Sequence, residues 1–152
     1  MSCVYCHGNG TRLIYRESRE VACNCVYRKA FRSCLMRFRE CQVEAHKSNT
    51  VSWELFGGKT GGRYFARRRE EFSADFCLVA RRCLDDFDYD VFRYHFLTGA
   101  DWRLCCRQLR IDRGTVFHAI YRIEQTLGRA FGELQPYGLW PLREYFGHRT
   151  AA

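Results

Sequence analysis

Residues 100–131 read ADWRLCCRQLRIDRGTVFHAIYRIEQTLGRAF and decide the fold. The spacing of apolar residues in the first part predicts a short helix, whose buried face holds Trp102, Cys105, Cys106 and Leu109. Arg110 and Ile111 then form a turn, and Asp112 can cap the next helix. The inner face of that longer helix is predicted to hold Val116, Ala119, Ile120, Ile123 and Leu127. Two helices joined by so short a turn predict a helix-turn-helix.

The stretch from Val91 to Leu127 resembles the helix-turn-helix of the fourth conserved region of sigma factors. The matching features are the break at Gly99, the pair Cys105–Cys106 where Ile-Ala is usual, Leu109-x-Ile111, the capping Asp112, Gly114-Thr115-Val116, and Arg122 six residues after Val116. The resemblance covers roughly residues 84–131. It implies a DNA-binding protein whose second helix enters the major groove.

Carried over from that family, the DNA-contacting positions are Arg113, Gly114 and His118, with Thr115 and Arg122 nearby. Arginine can make a bidentate contact to guanine. Gly114 cannot read a base, whereas a primary sigma factor has a carboxylate there, so that factor's promoter specificity is not implied. Glu124 on the same helix weakens the case for DNA binding by this half alone. A helix-turn-helix used for protein contact therefore stays open.

Four of the ten cysteines form two close pairs near the N-terminus, Cys3-x-x-Cys6 and Cys23-x-Cys25. Without an export signal, such clusters are more often metal ligands than disulfides. Four thiolates fill all the coordination positions of a tetrahedral zinc ion, so we predict a zinc ion with a structural role. With Gly8 and Gly10, the first pair resembles one half of the zinc modules of DnaJ-type chaperones and of some phage antiterminators.

Three other residues are alternative ligands, namely His7, Cys34 and His46. Cys34, however, lies with Cys41 on an apolar stripe and is better explained as core. The other cysteines fall at helical core spacing, where a free thiol behaves as a small hydrophobe: Cys77, Cys83, Cys105 and Cys106.

The net charge of +8 is concentrated in the N-terminal half, because residues 1–72 carry 14 Lys/Arg and 7 Asp/Glu. This excess favours a polyanionic partner, with a solvated basic surface as the alternative. The strongest basic cluster comprises Lys59, Arg63, Arg67, Arg68 and Arg69. It surrounds a glycine-rich run preceded by the alternating Val51, Trp53 and Leu55, which predicts a β-hairpin or an irregular loop that contacts the DNA backbone.

Helical periodicity dominates the rest of the chain. Residues 26–46 predict an amphipathic helix with the stripe Tyr27, Phe31, Cys34, Phe38, Cys41 and Ala45. This stripe favours packing within the protein and also permits a homodimer. Residues 70–131 are predicted to be helical throughout, with Phe72, Phe76, Val79, Ala80 and Cys83 on one face and the acidic run from Asp85 to Asp90 at a helix start.

Together these features predict a mainly α protein, a helix-turn-helix bundle with a small zinc knuckle and a short β-hairpin. The expected segments are a knuckle plus amphipathic helix at 1–48, a basic hairpin or loop at 49–69, the sigma-like domain at 70–135 and an aromatic tail at 136–152. No apolar run approaches the roughly 18 residues of a spanning helix, and the first residues lack a secretory h-region. We therefore expect a cytoplasmic protein without a membrane partner.

The sequence holds no credible catalytic constellation, since His95 and His118 fit a core and a surface histidine and no nucleophile motif is present. We expect a DNA-binding transcription regulator of phage or prophage type. A late-gene antiterminator or activator acting with RNA polymerase is the first expectation. An operator-binding regulator independent of polymerase, or a protein-interaction adaptor, are the alternatives.

Overall fold

The computed structural model describes the backbone of residues 3–50 and 60–134, and the side chains of residues 3–46 and 69–133. A two-stranded antiparallel hairpin precedes a set of packed helices. The elements are β1 Thr11–Ile14, β2 Arg19–Ala22, α1 Asn24–Thr50, α2 Thr60–Cys83, α3 Asp86–Val91 with a π-helical continuation Phe92–Leu97, α4 Trp102–Leu109 and α5 Arg113–Leu134. The predicted fold class is confirmed: the chain is mainly helical, with a small hairpin and an N-terminal cysteine cluster.

The core lies where α1, α2, α3 and α5 meet, and phenylalanine dominates it. Phe31, Phe76, Phe92 and Phe131 are all fully buried. The rings of Phe31 and Phe131 are stacked with centroids 6.5 Å apart, and those of Phe76 and Phe131 are 5.4 Å apart. Aromatic side chains bury large apolar areas, so these rings contribute a large share of the hydrophobic stabilisation of the bundle.

The stripe predicted on α1 packs inside the protein. Phe31, Cys34, Phe38 and Cys41 are buried, which confirms that Cys34 and Cys41 are core residues. The prediction is wrong for Ala45, which is exposed because the buried cluster on this helix ends at Cys41. On α2, four of the five predicted face residues are buried and Cys83 is half-buried.

The β-hairpin was predicted in the wrong place. Residues from Thr60 onward belong to α2, so the run RYFARR is helical and is not a strand. The strong helical periodicity after residue 70 extends backward through Gly61 and Gly62, although each glycine costs a helix about 1 kcal/mol. The partner strand proposed at Val51–Leu55 lies outside the described residues, as do Lys59 and the tail at 136–152.

An ion pair between a buried carboxylate and a partly exposed arginine joins α3 to α5. The carboxylate of Asp88 is 5% exposed and accepts hydrogen bonds from both Nε and Nη2 of Arg122, the first at 2.6 Å. Asp85 immediately precedes α3 and caps it, because its carboxylate accepts a hydrogen bond from the backbone N–H of Asp88 at 2.7 Å. The acidic run is therefore a helix start, as predicted, with one member buried against an arginine.

Replacing Arg122 with alanine is expected to destabilise the fold by roughly 2 kcal/mol, because the buried carboxylate of Asp88 loses its charge partner. Urea unfolding of the single variants and of the double variant Asp88→Asn/Arg122→Ala measures the coupling between the two residues. An Arg122→Ala chain of wild-type stability with weakened DNA affinity would contradict this structural role.

A second ion pair joins α1 to α5 through Glu124, which is 5% exposed. Nε of Arg28 lies 2.6 Å from one carboxylate oxygen, and Nη2 of Arg32 lies 3.2 Å from the other. Glu124 is therefore buried and paired with two arginines, and it is not part of the exposed face of α5. The carboxylate fixes the orientation of α5 against α1.

Candidate metal centre and helix-turn-helix surface

The hairpin brings the two cysteine pairs together. Thr11 pairs with Ala22 at the open end of the hairpin, so the residues just outside the strands, Gly10 and Cys23, are neighbours. The backbone N–H of Cys23 donates to the carbonyl of Gly10 at 2.8 Å. Cys23 thus lies between β2 and α1, and Cys25 lies in the first turn of that helix.

The first pair forms a tight turn, as the knuckle requires. His7 N–H donates to the Cys3 carbonyl and Asn9 N–H to the Cys6 carbonyl, both at 2.8 Å. Gly8 and Gly10 have φ of 93° and 76°, a backbone region that glycine adopts without steric cost. This explains the two glycines that follow the pair.

The four sulfur atoms of Cys3, Cys6, Cys23 and Cys25 lie within 4.8 Å of one another. Cys3 and Cys23 are 3.8 Å apart and Cys6 and Cys25 are 3.5 Å apart, measured between Sγ atoms. Metal–sulfur bonds of about 2.3 Å in a tetrahedron require sulfur–sulfur separations of about 3.8 Å. The four cysteines can therefore hold one tetrahedral metal ion, with no open position for a reacting ligand.

Hydrogen bonds from backbone N–H groups favour the thiolate form of two of the cysteines. Those of Gly10 and Gly8 lower the pKa of Cys6 to about 6, and those of Tyr5 and Cys6 lower the pKa of Cys3. Burial raises the pKa of Cys25 to about 12. Without a cation the cluster retains protons, and a bound metal ion would displace them.

Of the alternative ligands, none belongs to this group of sulfur atoms. His7 is exposed with a positive φ of 48°, and Cys34 is fully buried in the helical core. His46 is exposed near the other end of α1. The predicted set of four cysteines is thus the set that the structure brings together.

The turn between α4 and α5 lies where the sequence predicted it, and α5 runs three residues beyond the predicted end at Phe131. Asp101 caps α4 by accepting the backbone N–H of Leu104 at 2.8 Å. Asp112 caps α5, accepting the Thr115 N–H at 2.7 Å and the Thr115 hydroxyl at 3.0 Å. These bonds lower the pKa of Asp112, so its carboxylate is charged at the N-terminus of α5, where negative charge is stabilising. Arg110 makes the turn with a left-handed φ of 55°.

Apolar residues hold the two helices together as expected. Val116, Ala119, Ile123 and Leu127 on α5 are fully buried, and Ile120 is half-buried. On α4 only Cys105 is fully buried. Ile111, in the turn between the helices, packs against both buried clusters.

The outward face of α5 carries Arg113, Gly114, Phe117, His118 and Tyr121, all exposed. The Arg113 guanidinium lies 5.1 Å from the Trp102 ring centroid and 5.4 Å from that of Phe117. These two contacts restrain the arginine at the start of the helix through cation–π attraction. The exposed Phe117 and Tyr121 were missed from the sequence, although their four-residue spacing from Arg113 places all three on one face.

Other predicted DNA contacts have partners within the protein. The Thr115 hydroxyl is used in the cap, and Arg122 is bound to Asp88. Arg69 forms an ion pair with Glu44 at 2.7 Å. Arg63, Arg67 and Arg68 lie in α2, but their side chains are outside the described residues. On α5, Arg113 and His118 are exposed and take no part in the helix cap or in the ion pair with Asp88.

The two histidines agree with the predicted core and surface roles. His95 is half-buried, with Nδ1 2.9 Å from the Ala100 carbonyl oxygen, whereas His118 is exposed.

Among the described helices, none combines the length and the apolar character needed to cross a membrane. Comparisons with protein families, with curated proteins and with solved structures find no significant match.

Proposed function

We propose that this chain is a DNA-binding transcription regulator stabilised by a structural zinc ion, and that it inserts α5 in the major groove. The observation that carries the proposal is the capped pair α4 and α5, whose exposed face begins with Arg113 and continues through His118. A helix-turn-helix reads bases with the N-terminal residues of its second helix. Here that segment holds the Arg113 guanidinium, which the Trp102 and Phe117 rings restrain. The next residue, Gly114, has no side chain to keep the helix backbone away from the edges of the bases.

Charge around this face supports a nucleic-acid partner. Arg103, Arg107 and Arg110 on or beside α4 are exposed. The two nearby acids, Asp101 and Asp112, are occupied as helix caps. Exposed arginines beside a helix that enters the major groove can contact the flanking phosphates. Such contacts orient a protein on the duplex.

Zinc is the metal we propose for the cluster, because four thiolates in a tetrahedron favour it and exclude hard cations. Its role is structural and not catalytic, since all four coordination positions are filled by protein. The ion would tie the hairpin to the first turn of α1, and the Arg28–Glu124 ion pair joins the next turn of that helix to α5.

The finer assignment rests on the resemblance to sigma region 4. It makes the chain a regulator of phage or prophage type that works in the bacterial cytoplasm at the nucleoid. We propose a late-gene antiterminator or activator that acts with RNA polymerase. Regulation from an operator without polymerase contact is the alternative within the same DNA-binding function.

Binding of a randomised duplex pool over about 50 to 200 mM salt tests the proposal. We expect the logarithm of the association constant to fall linearly with the logarithm of salt, by about 0.9 for each phosphate contacted. A zinc-loaded protein that retains no duplex at the lowest salt would contradict DNA binding. We would then infer that the chain is a protein-interaction adaptor, and RNA polymerase would be the first partner to test.

Replacing Arg113 with alanine is expected to reduce discrimination between a selected duplex and its scrambled counterpart. A lost bidentate contact to guanine costs about 1–3 kcal/mol of discrimination, which is roughly 5- to 150-fold. The measurement is the ratio of the two Kd values, and Arg82→Ala is the matched control, because Arg82 is an exposed arginine in the last turn of α2. An unchanged ratio would contradict base contact by Arg113.

A further inference from the structure

One face of the β-hairpin is basic, and the strand register shows which residues share it. Arg12 pairs with Val21, and Ile14 pairs with Arg19. Side chains directly opposite in an antiparallel pair point the same way, as do residues two apart on one strand. Arg12 and Arg19 therefore share a face with Ile14 and Val21, whereas Glu20, opposite Leu13, lies on the other face. Within the two strands, the arginines and the one acidic residue thus lie on opposite faces.

Arg12 of the basic face borders a cleft that Tyr121 of α5 also borders. A cleft of about 190 Å³ separates the cysteine module from the helix-turn-helix and is lined by Tyr5, Arg12, Cys23, Asn24 and Tyr121. Four of these side chains can donate a hydrogen bond to an oxygen anion, and none of the five is a carboxylate. Cys23 is only 1% exposed, so its sulfur is covered from solvent.

Tyr121 connects this cleft to the proposed base-reading face. It follows Arg113 by eight residues, which is about 12 Å along an α-helix. The cleft therefore lies beside the same exposed face of α5, about 12 Å along the helix axis from Arg113. The Arg28 guanidinium lies 4.8 Å from the Tyr121 ring centroid while its Nε is paired with Glu124, and these contacts hold the tyrosine in place.

We propose that the cleft and the basic face of the hairpin bind the sugar-phosphate backbone of the duplex beside the groove that α5 enters. This inference rests on the proposed DNA-binding function. The occupant follows from charge and donor chemistry: two arginines, an asparagine and two tyrosine hydroxyls are side chains that contact phosphate oxygens in protein–DNA complexes. The metal-bound module is then a second DNA contact, in addition to its structural role.

The double variant Arg12→Gln/Arg19→Gln tests the inference. Its Kd for a selected duplex and for a scrambled duplex is measured over a salt series. We expect both duplexes to bind roughly ten- to a hundredfold more weakly, and the salt slope to fall by about 2. The ratio of the two Kd values should stay as in the wild type, because phosphate contacts carry no base sequence.

Two further variants separate contact from net charge and from folding. Arg82→Gln/Arg93→Gln removes two exposed arginines from other elements and is expected to change affinity little. Arg12→Lys/Arg19→Lys keeps the charge and should retain most of the affinity. The zinc content per chain reports whether each variant keeps the folded module.

The outcomes distinguish the two proposals. A wild-type protein that binds the duplex, together with an Arg12→Gln/Arg19→Gln variant that binds like the Arg82→Gln/Arg93→Gln control, overturns the backbone contact alone. A change in the Kd ratio also overturns it, because the hairpin would then read bases. If the wild type binds neither duplex, the DNA-binding function itself fails and this inference fails with it.

Discussion

Replacing Cys6 with serine is expected to lower zinc affinity on the order of 10²- to 10³-fold and to unfold the hairpin. Structural zinc contributes about 10–16 kcal/mol through four ligands, so one ligand supplies roughly a quarter of this free energy. The two short strands bury little apolar area, since the side chains of β1 and β2 are exposed or half-buried. Without the metal ion the module has little else to hold it.

The effect is expected to be local to the module. The helical core is built from α1, α2, α3 and α5 and includes no residue of the cysteine cluster. Amide exchange protection should therefore be lost from Thr11 to Ala22, while α5 keeps its protection. Chelation of the wild-type metal should give the same pattern, and duplex affinity should fall with it if the module contacts the backbone.

Cys83→Ala is the matched control, because Cys83 is a half-buried thiol on α2 outside the cluster. It should keep one zinc per chain. A Cys6→Ser chain that still holds one zinc with wild-type affinity would contradict the four-cysteine site. A second measurement on His7→Ala and Cys34→Ala chains would then identify the replacement ligand.

Replacing Gly128 with valine is expected to destabilise the bundle by about 4 kcal/mol or more, or to prevent folding. A Cβ at this position would lie within 3.0 Å of the backbone carbonyl oxygen, carbonyl carbon and Cα of Tyr27. Backbone atoms of α1 cannot move aside as the end of a flexible side chain can, so the two helices would have to separate. Their separation would open the phenylalanine core and strain the Arg28–Glu124 ion pair.

The expected result is measured by urea or thermal unfolding of Gly128→Ala and Gly128→Val, with the larger loss for valine. Gly114→Ala is the control on the same helix, since a Cβ there meets only the Asp112 carboxylate oxygen at 3.2 Å. Wild-type stability in the Gly128→Val chain would show that α1 and α5 do not cross closely at this position.

The helix-turn-helix could be predicted from sequence because its boundaries are encoded locally. Asp101 and Asp112 each accept the backbone N–H three residues on, and the apolar positions between them follow the helical period. The cysteine cluster was equally predictable, since close pairs of cysteines restrict the ligands that a metal can use. Both features depend on residues near one another in sequence.

The features that were missed either lack a local sequence signal or depend on contacts between distant residues. The hairpin at Thr11–Ala22 has strands of four residues, too short for a periodic signal, and the pairing of its flanking cysteines helps to define it. Nothing near Arg122 in the sequence shows that its partner is Asp88, 34 residues earlier. Glu124 likewise pairs with arginines of α1, so a residue that suggested an acidic surface is buried.

Selection of randomised duplex DNA by the purified, zinc-loaded protein at near-physiological salt tests the central claim most directly. We predict enrichment of a defined motif that contains a guanine whose replacement weakens binding to the wild type but not to Arg113→Ala. No retention of duplex DNA would contradict the claim that α5 is a DNA-reading helix. Retention without any motif would contradict base reading and leave only backbone contacts.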